Sequence, residues 1–119
     1  MTAERPVIWM GSSRGDVRGF PLQVRRDIGY ALYAAQQGET DPASKPLQGF
    51  GGGAVLEIIV RHRGDTWRAV YTVRYPEAIY VLQAFQKKSK RGIATAKKDM
   101  ELVRQRLSEA EKLHRARQN

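Results

Sequence analysis

Four cations stand within five residues in the stretch "FQKKSKRG": Lys87, Lys88, Lys90 and Arg91. They follow directly on an apolar, strand-like run, "AIYVLQAF". Like charge at that density is either a solvated connector or a seat for a polyanion. Lysine and arginine together can neutralise phosphate charge, and a phosphorane-like transition state carries more charge than its ground state. RNA supplies its own nucleophile in the 2′-OH, so a protein could cleave it largely by positioning and charge stabilisation. Lacking a histidine pair, such a site needs something else to hold the RNA in line.

A second basic set lies upstream in "DTWRAVYTVRY". In an extended strand Arg68, Val70, Thr72 and Arg74 share one face, and Trp67, Ala69, Tyr71 and Val73 share the other. The second set reads as core. The first presents two guanidiniums ~20 Å apart at ~3.3 Å per residue, too far to grip one phosphate but suited to two backbone positions. Arg61 and His62 close the preceding strand and could join them across a hairpin. The alternative is an ordinary solvent face, which antiparallel sheets commonly have. Depending on register, Lys87 or Lys88 points over the face of Arg68. Glu57 interrupts an apolar strand, and either faces solvent or pairs with a nearby arginine.

Other residue types carry little chemistry. His62 and His114 are far apart, neither lies in a nucleophile arrangement, and no metal-ligand spacing exists. "GFGGG" fails as a phosphate loop, because no Lys-Ser/Thr pair follows and a strand comes next. No cofactor and no metal are expected. With no cysteine, disulfide frameworks and thiolate metal sites are excluded.

These residues must be positioned by one domain, since 119 residues suffice for a single core. "PVIWM" reads as a first strand and "DVRGF" as a helical turn. Pro21 opens a helix with Val24, Ile28, Ala31, Leu32 and Ala35 at helical spacing, stopped by Gly38. A Gly- and Pro-rich loop, "GETDPASKPLQGFGGG", follows. Strands are expected over Val55 to His62, Trp67 to Tyr75 and Ala78 to Gln86, joined as an antiparallel meander. A last helix carries the seam Ile93, Ala96, Met100, Val103, Leu107 and Ala110, expected to pack on the sheet. The end, about 114–119, is expected to fray. The fold class is α+β, a small antiparallel sheet flanked by helices.

Charge is concentrated at the end of the chain. Residues 87–119 hold 11 basic and 4 acidic side chains, a net of +7, against 10 and 8 over residues 1–86. Such a field favours nucleic acid or an acidic protein, and a solubilising surface is the plain alternative. No apolar run approaches the ~20 residues that span a bilayer, and the first residues lack a signal-peptide pattern. A cytoplasmic protein without membrane partners is expected.

The segments "VRGFPLQVRRDIGYALYAAQQGE", "KPLQGFGGGAVLEIIVRHRGDTWRAVYTVRY" and "IYVLQAFQKKSKRGIATAKKDMELVRQRL" together resemble RelE/HigB-type toxins of toxin–antitoxin systems, in the phage-related branch close to HigB. The resemblance covers most of residues 17–107. It implies a RelE-like fold and ribosome-dependent cleavage of translated mRNA by 2′-OH attack. By position Arg68, Lys87 and Lys88 match catalytic residues, and Arg61, Arg74, Lys90, Arg91, Lys97 and Lys98 are RNA- or ribosome-binding candidates. The implied partners are the ribosome, mRNA and a cognate antitoxin of helix-turn-helix type, with operator DNA reached only through the antitoxin. The sequence departs from the branch in having "KRGIA" where a Thr-Pro pair usually follows the lysines, and in having no tyrosine after Tyr80. The second departure, with His114 distant, leaves the general acid and base unassigned. A ParE-like DNA gyrase inhibitor and a plain RNA-binding module are the rival classes.

Overall fold

The structure, a computed structural model, describes residues 4–87 and 96–119. Its elements are β1 (Val7–Trp9), α1 (Ser13–Arg18), α2 (Leu22–Gln36), β2 (Ser44–Pro46), β3 (Val55–His62), β4 (Asp65–Tyr75), β5 (Ala78–Lys87) and α3 (Lys97–Gln118). The strands form one sheet in the order β1-β5-β4-β3-β2. Its pairings are antiparallel except for β1, which lies parallel to β5. The α+β class stands, with two additions. The first strand forms a parallel edge, and the loop expected before β3 contributes the opposite edge strand, β2.

Local chemistry explains the boundaries. Gly38 ends α2 at φ 81°, in the left-handed region that favours glycine. The β3–β4 hairpin turns through Arg63 and Gly64 at φ 51° and 83°, the positive pair that a two-residue hairpin needs.

Helices cover both faces of the sheet. On one, Val24, Ile28, Ala31, Leu32 and Ala35 of α2 pack on Ile58, Ala69, Tyr71, Ile79 and Val81. On the other, Val103 and Ala110 of α3 pack on Val55, Val70, Tyr80 and Leu82. The seam of the last helix therefore does meet the sheet, with Met100 and Leu107 partly buried beside it, whereas Ala96 is exposed. Ile93 lies outside the described residues. This second layer corrects the reading of the Arg68 face as open: Val70 and Thr72 are fully buried under α3. It also accounts for the long apolar run in β5, a strand with neighbours on both sides and helices on both faces.

The expected frayed end is instead helix as far as Gln118. His114 continues the seam four residues beyond Ala110 and is buried. Its Nδ1 lies 2.9 Å from the Tyr80 hydroxyl and its Nε2 lies 2.8 Å from Glu77 Oε1. The ring also stacks on Tyr75 at 4.2 Å. A carboxylate can only accept, so Nε2 carries hydrogen, and in the neutral imidazole Nδ1 accepts from Tyr80. Burial pushes the Tyr80 hydroxyl above its usual value, with Arg117 opposing and Tyr75 and Glu77 adding to the rise. His114→Ala removes a stacked ring and strands a buried hydroxyl, an expected loss of about 2–4 kcal/mol. Thermal unfolding should show a midpoint roughly 10 °C lower, and an unchanged midpoint would return residues 114–119 to a dispensable tail.

Candidate functional site

The face of the sheet under α3 carries cations in rows. Antiparallel partners share a face, so register decides membership. Arg61 pairs with Thr66, and Thr66 with Lys87. One row inward, Ile59 pairs with Arg68, and Arg68 with Phe85. A third row runs Lys45, Glu57, Val70 and Gln83. Rows are ~6.6 Å apart along the strands, and neighbouring strands are ~4.8 Å apart.

Lys87 reaches this face because of a bulge. The register shifts between the pairs Val70–Gln83 and Tyr71–Val81, which leaves Leu82 as an extra residue in β5. Tyr80 and Leu82 belong to the α3-side core, Ala84 to the α2-side core, and Phe85 again to the α3 side. Strict alternation from Tyr80 would have sent Lys87 to the α2 side. The bulge reverses that and sets it beside Arg68. Of the two orientations open to Lys87, this is the one that joins the arginine.

Arg68 is buried, and its Nη1 donates to Glu57 Oε1 at 2.8 Å with both side chains 7% exposed. The pairing that the sequence left open is thus made. A solvent-face role for Arg68 is excluded by burial, and so is a freely moving guanidinium. Its Nε is buried without a hydrogen-bond partner. The fixed charge acts on Lys87: burial, then repulsion from Arg68, hold the ammonium below the usual lysine range, with Glu57 pulling the other way.

A polar network ties this face to α3. Gln83 Nε2 donates to Asp99 Oδ1 at 3.0 Å. Arg106 Nη1 donates to the Leu82 carbonyl at 3.0 Å and to Gln83 Oε1. Arg106 also reaches Ser12 Oγ at 3.4 Å, passing over Gly11, where a Cβ would lie 2.5 Å from its Nε. Only glycine leaves that path open, and its φ of 52° suits glycine as well. The bulge, Gln83 and Arg106 therefore form one support. Gln83, Asp99 and Arg106 went unnoticed in the sequence. The signal was there in the spacing 99, 103, 106 along one helix face and in a glutamine amid an apolar strand.

Of the remaining candidates, Arg61 is exposed and lines an open depression of about 340 Å³ with Lys45 and Ile59. Lys97 and Lys98 are exposed in the first turn of α3, next to Asp99. Lysines there oppose the helix dipole, so helix stability gives no reason for them. Arg74 is exposed at the opposite end of β4, ~20 Å from Arg68, and does not join the group. His62 pairs with Asp65 at the hairpin. Lys88, Lys90 and Arg91 lie outside the described residues. Among the described residues no group of His, Cys, Asp or Glu could hold a metal, and no helix is long and apolar enough to cross a membrane.

The chain matches the family of phage-derived Gp49-like proteins (DUF891) over residues 15–108. It belongs to that family. The Gp49-like proteins are a toxin-like family associated with toxin–antitoxin systems. The matched segment of this Gp49-like protein takes in Arg61, Arg68, Gln83, Lys87 and Arg106, and leaves out β1 and His114. A comparison with curated proteins found no match.

Proposed function

We propose that this Gp49-like protein is the toxin of a toxin–antitoxin system and acts as a ribosome-dependent endoribonuclease on translated mRNA. The observation that carries the reading is the bulge in β5, which places Lys87 on the face of Arg68 and Arg61. In the proposed reaction the 2′-OH attacks the adjacent phosphorus and the P–O5′ bond breaks. The products are a 2′,3′-cyclic phosphate and a 5′-OH end, so the proton lost at O2′ is balanced by one gained at O5′. Extra negative charge on the phosphorane is met by Lys87, with Lys88 following it in the chain. Arg68, locked to Glu57, acts as a positioning residue that fixes the field around Lys87. Arg61, Lys97 and Lys98 hold flanking phosphates, and Lys90 and Arg91 are assigned to the same task. The ribosome supplies the in-line geometry that a site without a histidine pair leaves to its surroundings.

Induced expression without a partner should arrest growth, with 5′-OH message ends inside codons and only in translated regions. Primer extension on messages with and without a start codon is the test. Intact messages beside accumulated double-strand DNA breaks would move the assignment to gyrase inhibition. The proposed cognate antitoxin, of helix-turn-helix type, should restore growth on co-expression, and operator DNA is contacted through it alone.

A further inference from the structure

The helix α2 carries two stripes. One is buried against the sheet. The other, Leu22, Arg26, Gly29, Tyr30 and Tyr33, falls at i, i+4, i+7, i+8 and i+11 and faces solvent. Leu22, Tyr30 and Tyr33 are 57%, 70% and 56% exposed, the three most exposed large hydrophobic residues described. Gly29 sits mid-helix, where glycine costs about 1 kcal/mol against alanine. A Cβ at Gly29 would meet no atom within 4 Å, so the chain's own packing gives no reason for it.

Beside this stripe a groove of about 450 Å³ runs between α1 and α2. Its floor is apolar, with Trp9, Val17 and Leu32, and its rim holds Arg14, Arg18, Arg25 and Arg26. No carboxylate lines it. None of the four guanidiniums has a hydrogen-bonding or ion-pair partner among the described residues. Arg26 and Gly29 also line a second depression with Tyr30 and Tyr33, so groove and stripe form one surface.

We propose that this surface docks an amphipathic helix of the antitoxin, apolar along one face and carboxylate-bearing along its flanks. From Leu22 to Tyr33 the stripe is ~17 Å long, about three helical turns, which suits helix-in-groove recognition. The bare backbone at Gly29 lets a second helix approach closely. Four unpaired guanidiniums set the sign of the partner's flanks, with charge guiding encounter and apolar contact holding the complex. An RNA strand would satisfy the arginines but leave Leu22 and the apolar floor unmatched. Because α2 and α3 lie on opposite faces of the sheet, this docking leaves the Arg61–Lys87 row uncovered. The antitoxin then inhibits by bulk at the ribosome.

This inference deepens the partner assignment above and rests on it. The test is co-purification and affinity measurement of the full chain with the proposed helix-turn-helix antitoxin, sought as the product of an adjacent reading frame. Gly29→Glu and the surface pair Tyr30→Ala/Tyr33→Ala are each expected to weaken the complex at least tenfold, leaving growth arrest by the free chain unchanged. Gly29→Ala should raise the melting temperature of the free chain and still weaken the complex. A wild-type complex whose affinity none of these variants changes overturns the inference and leaves the toxin–antitoxin reading standing. Absence of any complex with the wild-type chain overturns both. If Tyr30→Ala/Tyr33→Ala instead weakens binding of a single-stranded RNA oligonucleotide and spares the protein complex, the surface belongs to RNA.

Discussion

Lys87→Ala is expected to lower the single-turnover cleavage of messages in translating complexes by about 10²–10³-fold, the usual effect of removing one group that meets developing charge. Stability should change by less than about 1 kcal/mol, because Lys87 is partly exposed at the end of its strand. Lys87→Arg keeps the charge and should retain much of the activity. The pH profile separates the two properties. A lysine loses its charge as pH rises through its pKa, and burial with the nearby Arg68 moves that loss towards neutrality. Wild-type cleavage should therefore fall at a lower pH than an ordinary lysine allows, and Lys87→Arg should abolish the fall. A rate that climbs through the same window would make the neutral amine the working form and Lys87 a proton acceptor.

The second large effect is on stability. Arg68→Ala leaves Glu57 as a buried carboxylate that has lost its arginine, and breaking one side of such a pair costs about 3–5 kcal/mol. Urea denaturation should show that loss directly. Glu57→Leu combined with Arg68→Met should recover most of it, since an apolar pair of similar volume avoids the cost of burying two charges. A loss under about 1 kcal/mol for Arg68→Ala would mean that the pair opens to solvent. Cleavage by the Arg68→Ala variant has meaning only where the variant is folded. Normal cleavage there would remove Arg68 from the positioning role, while an intact binding step with slow cleavage would support it.

Much of the α+β order was legible because both periodicities are strong. In Trp67–Tyr75 the core residues Trp67, Ala69, Tyr71 and Val73 recur at every second position, and the strand ends at Tyr75 as expected. The stripe from Val24 to Ala35 reads as helix for the same reason. Three features were hidden. Ser44–Pro46 lies in a Gly- and Pro-rich segment, and only pairing with Leu56–Ile58 makes it a strand. A parallel edge such as β1 depends on contacts some 70 residues away, which no local pattern encodes. The shift at Leu82 is a property of two strands together, so the face of Lys87 could not be settled from β5 alone. The site was legible as a set of cations and illegible as an arrangement. Arg68 was singled out as a candidate, but its burial needed α3 to be laid over it. Likewise the polar end of the last helix concealed His114, whose partners Glu77 and Tyr80 come from β5 and the turn before it.

Cleavage of a defined message by the purified chain, with and without ribosomes, tests the proposed function most directly when the new ends are identified chemically. Cuts within the codon at the ribosomal A site are expected, with 2′,3′-cyclic phosphate and 5′-OH ends, none on free RNA, and a rate reduced at least 10²-fold by Lys87→Ala. Efficient cutting of ribosome-free RNA, or wild-type cutting by the Lys87→Ala chain, would contradict ribosome-dependent cleavage at this face of the sheet.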